Sequence, residues 1–161
     1  MGGGYDDKIK NLLSFLIKEN IDVCALQETN KIYLNKIDQK LINLSGFHVQ
    51  IDYNRLRENK TKGFGNITLI NKKWITEMGN EDNKNKIPIS NIWYNNNEIA
   101  ILNVYNDHEN QNKNRIKKRI EEISKNKKNA IILGDVNIDL NRSSWQLLEN
   151  TDLSVLPFQS D

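Results

Sequence analysis

A chain of 161 residues is the size of one ordinary domain, long enough to bury a core of its own. With 37% hydrophobic and 27% charged residues it has a globular composition, and 23 basic against 21 acidic side chains leave a net charge of +2, so any polyanion-binding surface must be local. A single cysteine, Cys24, excludes an internal disulfide, no apolar run nears the ~20 residues that span a bilayer, and Met1-Gly2-Gly3-Gly4 is no signal peptide.

Asp6 or Asp7 can cap a helix that ends near Asn20, with Ile9, Leu12, Leu13, Leu16 and Ile17 at the spacing of one buried face. Ile21–Leu26 reads as a buried strand, and Gln27-Glu28-Thr29 follow it at once. Cys24 lies inside that run, which makes it a buried thiol suited to a reducing compartment. Lys36–Leu44 predicts a weaker helix with Ile37, Leu41 and Leu44 on one face. Phe47–Tyr53 alternates Phe47, Val49, Ile51 and Tyr53 with polar residues, the pattern of a half-exposed strand. Arg55, Arg57, Lys60 and Lys62 follow in a loop closing on Gly63-Phe64-Gly65. Such a loop grips phosphates if its cations share a surface, and is otherwise merely solvated. Ile67–Ile70, Trp74–Met78 and Ile89–Tyr94 predict three more strands, and Asn95-Asn96-Asn97 the turn of a hairpin into Glu98–Tyr105.

The strand Glu98–Tyr105 delivers Tyr105 and then Asn106-Asp107-His108 at its end. By itself a tyrosine there reads as a core-edge aromatic with a wet hydroxyl, and His108 as an exposed residue of a polar run. Asn114–Lys127 predicts a helix with Ile116, Ile120 and Ile123 inward. Its Arg115, Lys117, Lys118 and Arg119 are expected to face water, because Glu121 and Glu122 interrupt the basic patch. The run Ala130–Leu133 reads as a strand buried on both faces. Gly134 ends it with a sharp turn or a close backbone approach, and Asp135 and Asn137 stand at its exit. Ligands of open α/β sheets collect outside the carboxyl ends of strands, although an aspartate and an asparagine here also suit an Asx turn. Glu28 occupies the same kind of position, a carboxylate just past a strand. Ser143 or Ser144 can cap a short helix with Trp145, Leu147 and Leu148, and no closing element is evident after it. Strands outnumber helices, and neither repeat nor linker interrupts residues 1–161. An α/β (α+β) sandwich of packed sheets flanked by helices is expected, rather than a doubly wound sheet.

Three strand exits thus carry LQET (Leu26–Thr29), NVYND (Asn103–Asp107) and GDVN (Gly134–Asn137). Their order and spacing resemble the endonuclease/exonuclease/phosphatase superfamily. Within it, the strands IDVCALQET, GNITLI and AILNVY are most similar to LINE-type non-LTR retrotransposon endonuclease domains. The resemblance covers about Asp7 to Leu140 and implies a DNase-I-like, four-layer-type β-sandwich, here incomplete. It implies that Glu28 binds Mg²⁺ (or Mn²⁺), that Asp135 orients or deprotonates the attacking water, and that Asn137 holds the phosphate or that water. Tyr105 would stabilise charge on the phosphate, with Asn103, His108, Arg55, Arg57, Lys60 and Lys62 as substrate contacts. The family's first strand, ending in asparagine, and its closing SDH region have no counterpart in these residues, and neither His48 nor His108 fits the place of the SDH histidine. Little or no phosphodiesterase activity is therefore expected of these residues alone. The expected partner is nucleic acid, DNA first, bound by a monomer without a membrane, in the nucleus if the source is a eukaryotic retroelement. Another phosphoesterase of the superfamily (abasic-site nuclease, RNA deadenylase, lipid or inositol phosphatase) and a non-catalytic nucleic-acid-binding remnant are the alternatives.

Overall fold

The computed structural model describes residues 5–29, 34, 36–52, 65–79, 87–106, 113–126 and 129–136, and these form seven strands and three helices. They are α1 (Tyr5–Lys18), β1 (Val23–Leu26), α2 (Lys36–Leu44), β2 (Phe47–Asp52), β3 (Asn66–Asn71) and β4 (Ile75–Met78). The order continues with β5 (Ile89–Tyr94), β6 (Asn97–Tyr105), α3 (Lys113–Asn126) and β7 (Ala130–Asp135). One sheet has the order β1-β3-β2, and both of its pairings are antiparallel. The other has the order β4-β5-β6-β7, antiparallel except for the parallel pair β6 and β7. A parallel pair needs a crossover connection, and α3 provides it. The β5–β6 hairpin turns at Asn95 and Asn96, whose φ of 49° and 62° are the left-handed values that a two-residue hairpin loop demands and asparagine tolerates.

The apolar residues sort these elements into four layers. Ile9, Leu13 and Leu16 of α1 and Ile42 of α2 pack on Phe47, Ile67 and Leu69 of the first sheet. Ile116, Ile120 and Ile123 of α3 pack on Ala100, Leu102 and Val104 of the second. Between the sheets lie Ile70, Ile92 and Ile101, with Val23, Ile99 and Leu133 against them. The α/β sandwich is the architecture expected from the sequence, and the α3 face is the one its isoleucines predict. Among the described residues, no helix is long and apolar enough to cross a membrane.

Four expectations need correction, each for a reason of layering. Ile17 is exposed, because it follows Leu16 by one residue and so turns about 100° away from the buried face. In α2 the inward residues are Asp38 and Ile42, while Ile37 and Leu44 face outward. Its apolar residues span more than one face, and the first sheet takes the Leu41–Ile42 side. The polar face of β2 is not in water, since the second sheet covers it and Gln50 and Asp52 are buried. Finally, β1 and β7 are edge strands. They are therefore only half-buried, and Ile131 is 44% exposed.

Candidate active site

Local sequence brings three strand exits to one rim. Leu26, the last residue of β1, lies opposite Ile67 of β3. Tyr105 and Asp135 end β6 and β7 side by side in the parallel register. The side chain that joins the two sheets at this level is Asn103 of β6, only 5% exposed. Its Nδ2 donates to the carbonyls of Leu26 (3.2 Å) and Ile67 (3.1 Å), and its Oδ1 accepts from Gln27 Nε2 at 2.7 Å. The Asn103 amide is thus committed to the protein, not displayed to a substrate. Two residues on, and so on the same face of β6, the buried Tyr105 sends its hydroxyl to Glu28, donating to Oε1. Glu28, Tyr105 and Asp135 are therefore brought together, with Glu28 and Asp135 both exposed.

The backbone at two of these positions is unusual. Glu28 has a φ of 50°, a left-handed conformation that costs a residue with a Cβ about 1–2 kcal/mol. Thr29 beside it donates to the Gly65 carbonyl twice, from its backbone N–H at 2.9 Å and from Oγ1 at 2.8 Å. Gly134 has a φ of 136°, and a Cβ there would stand 1.9 Å from the Val104 carbonyl oxygen. Of the two roles the sequence allowed this glycine, the close backbone approach is the one found. Only a residue without a side chain lets β7 close on β6 here and set Asp135 beside Tyr105.

Two residues that sequence reasoning missed complete the rim. Asn106, fully buried, takes the Asp135 carbonyl with its N–H at 2.8 Å and donates from Nδ2 to the Val136 carbonyl at 3.0 Å. Asp52 ends β2 and accepts both arms of Arg115 from the first turn of α3, at 2.9 and 3.1 Å. Burial pushes the Asp52 carboxyl above its usual range, and the Arg115 guanidinium only partly offsets that rise. Arg115 is thus not the water-facing residue the sequence suggested. Nor is Arg119, 4% exposed, which donates from Nε to the Ile87 carbonyl at 2.8 Å and pairs with Glu122. The available signal was an acid closing the polar face of an alternating strand, with a basic residue in the first turn of α3. Cys24 is half-buried, and burial raises its thiol pKa, as suits an unreactive side chain.

Electrostatically the exposed part of the rim is acidic and its donors are oxygens. Among the described residues no three His, Cys, Asp or Glu side chains gather as a metal cage. Glu28 and Asp135 still fit Mg²⁺ or Mn²⁺, which need one or two carboxylates and keep water or phosphate oxygens for the rest. They do not fit a structural zinc site, which needs four ligands, mostly sulfur or imidazole. An open groove of about 470 Å³ runs from Asp135 between the edge strands β1 and β7, past Cys24, Gln27 and Leu133. Asn137, His108, Arg55, Arg57, Lys60 and Lys62 lie outside the described residues, as does the helix expected at Ser143 or Ser144.

The family model described as Endonuclease/Exonuclease/phosphatase family matches residues 1–151 of the chain. No curated protein sequence matches it. Among solved structures, the human Nocturnin catalytic domain with bound sulfate anion superposes with a TM-score of 0.57 at 11% identity, over 91% of this chain and 63% of that one. An endonuclease/exonuclease/phosphatase family protein from Leptotrichia buccalis C-1013-b gives 0.55 at 16%, over 86% and 63%. D. rerio TDP2 complexed with single strand DNA product gives 0.53 at 14%, over 90% and 57%. The fold is shared with all three, and this chain spans less than two thirds of each.

Proposed function

Because the chain belongs to the endonuclease/exonuclease/phosphatase family, we propose that its rim is the phosphoester-cleaving site of an enzyme that works with Mg²⁺ or Mn²⁺ on nucleic acid, DNA first. The single observation that carries this reading is the meeting of Glu28, Tyr105 and Asp135 at one rim, from parts of the sequence far apart. Glu28 would hold the cation. When bound, the cation supplies Lewis-acid polarisation of a phosphate oxygen. Asp135, exposed at the end of β7, would orient the attacking water and accept its proton. Asn137 would hold the phosphate through a neutral amide that does not repel an anion. Tyr105, whose hydroxyl donates to Glu28, would fix that carboxylate and, by turning the same O–H to the phosphate, would stabilise charge as the bond breaks.

DNA is favoured on two grounds. The motif spacing resembles LINE-type endonuclease domains, and the TDP2 structure with the same fold is a complex with a single strand DNA product. The basic stretch Arg55–Lys62 would supply phosphate contacts. That the Nocturnin structure carries a sulfate, a tetrahedral anion, suits a phosphoester as the shared chemistry.

Binding and turnover are best read separately. Titration of Mn²⁺ into the protein is expected to show one weak site, and Glu28→Gln is expected to lower its affinity more than tenfold by removing the charge while keeping the shape. Any Mg²⁺-dependent nicking of plasmid DNA is expected to vanish with the same variant. Mn²⁺ affinity and nicking both indifferent to Glu28→Gln would refute the proposal.

A further inference from the structure

Glu28 is held in a backbone conformation that its own side chain disfavours, so something outside it must impose that conformation. The constraints lie on both flanks. On the N-terminal side, the Leu26 carbonyl accepts from Asn103 Nδ2, and the Gln27 side chain donates to Asn103 Oδ1. On the C-terminal side, both the backbone N–H and the hydroxyl of Thr29 close on the Gly65 carbonyl. The residue between is the one whose carboxylate receives the Tyr105 hydroxyl. A chain pinned at residue i−2, at i−1 and again at i+1 has little freedom left at i. The pins reach two places: the first two meet Asn103 on the second sheet, and the third meets Gly65, which directly precedes β3 of the first.

We infer that Thr29 and Asn103 are positioning residues, which lock Glu28 in its left-handed conformation and thereby aim its carboxylate at the rim. Both act through the backbone that flanks Glu28. Thr29 supplies a side-chain hydrogen bond that a β-branched residue without a hydroxyl cannot replace, and Asn103 supplies two donors and one acceptor in a single planar group. The inference explains why a polar amide is buried between two sheets and why a threonine follows the glutamate. The aim of the carboxylate matters only if Glu28 binds the cation, so this part rests on the function proposed above, whereas the backbone lock does not.

The experiment therefore has a metal-free and a metal-bound arm on the full chain. Thr29→Val keeps the shape and removes Oγ1, and Thr29→Ser restores it. In the metal-free protein, the Glu28 amide-to-α-proton coupling and ¹³Cα shift report a positive φ by NMR. Thr29→Val is expected to move these signals towards ordinary backbone values, and Thr29→Ser to return them. In the second arm, Thr29→Val is expected to weaken Mn²⁺ binding about tenfold, the usual loss when a group supporting a ligand is removed, and Thr29→Ser to recover it. The conservative Asn103→Asp, which keeps the size but loses both donors, is expected to move the same Glu28 signals wherever it folds. Glu28 signals unchanged in Thr29→Val, or changed alike in Thr29→Ser, overturn the lock. A wild-type protein that binds no Mn²⁺, yet shows the NMR response, overturns the cation reading and leaves the lock standing.

Discussion

Gly134→Ala is expected to lower stability by about 2–6 kcal/mol, from backbone strain of about 1–3 kcal/mol and overpacking of about the same size. The strain arises because φ is 136°, where an L side chain is rarely found. The overpacking arises because the added Cβ would sit 1.9 Å from the Val104 carbonyl oxygen, a backbone atom that no rotamer change can move. Relief would require β7 to draw away from β6, and Asp135 would leave its place beside Tyr105. Thermal unfolding measures the loss. At about 2–4 °C per kcal/mol for a chain of this size, the midpoint should fall by roughly 10 °C. A midpoint within two or three degrees of wild type would mean that β7 does not approach β6 as described.

Arg115→Met should be nearly as severe at neutral pH, at about 3–5 kcal/mol, because it leaves the buried Asp52 carboxylate uncompensated. Its pH dependence is the more informative result. The folded pKa of Asp52 already lies above the ordinary value of 3.8, so the fold favours the neutral acid. The contribution of such a group is fully present below its unfolded pKa and declines as pH rises through the folded one. Without Arg115 the folded value rises further, and the decline should steepen. Denaturant unfolding at about pH 7 and again near pH 4 should therefore show a large deficit at the first and a small one at the second. Asp52→Leu combined with Arg115→Met should recover most of the loss, because two apolar side chains leave no charge to solvate. A deficit that does not change with pH would show that packing of the arginine stem, not its charge, is what Arg115 contributes.

Much of this arrangement is legible in the sequence because it is local. The isoleucine spacing 116, 120, 123 declares the buried face of α3, the asparagine turn declares the β5–β6 hairpin, and Gly134 before an acid marks an exit. The rest depends on a second layer that periodicity does not describe. Alternation in β2 tells that Phe47, Val49 and Ile51 share a face, yet nothing in those six residues says that another sheet covers the opposite one. Gln50 and Asp52 look solvated until Ser90 and Arg115 arrive from distant segments. The same gap misplaced Arg119, whose charge is satisfied by a backbone carbonyl from residue 87 and by Glu122. The α2 face is not legible because four apolar residues spread round a short helix allow more than one inward face, and the first sheet selects the one with Ile42. At the rim, the motif order in the sequence brings Glu28, Tyr105 and Asp135 to attention, and Asn103 too, but as a substrate contact rather than the amide that ties the sheets together, while Asn106 escapes it.

The contact between the two sheets is greasy around Ile70, Ile92 and Ile101, with Gln50 meeting Ser90 beside Ile101, and polar at the rim, where Asn103 meets Leu26, Gln27 and Ile67. Oil tolerates slippage, whereas a row of specific donors and acceptors works like the teeth of a key. Shifting one sheet by a single residue would strand every one of those teeth at once, so the slabs are indexed where the chemistry would happen and merely glued elsewhere. Replacing the teeth with hydrocarbon is expected to yield a tougher protein whose rim side chains no longer line up.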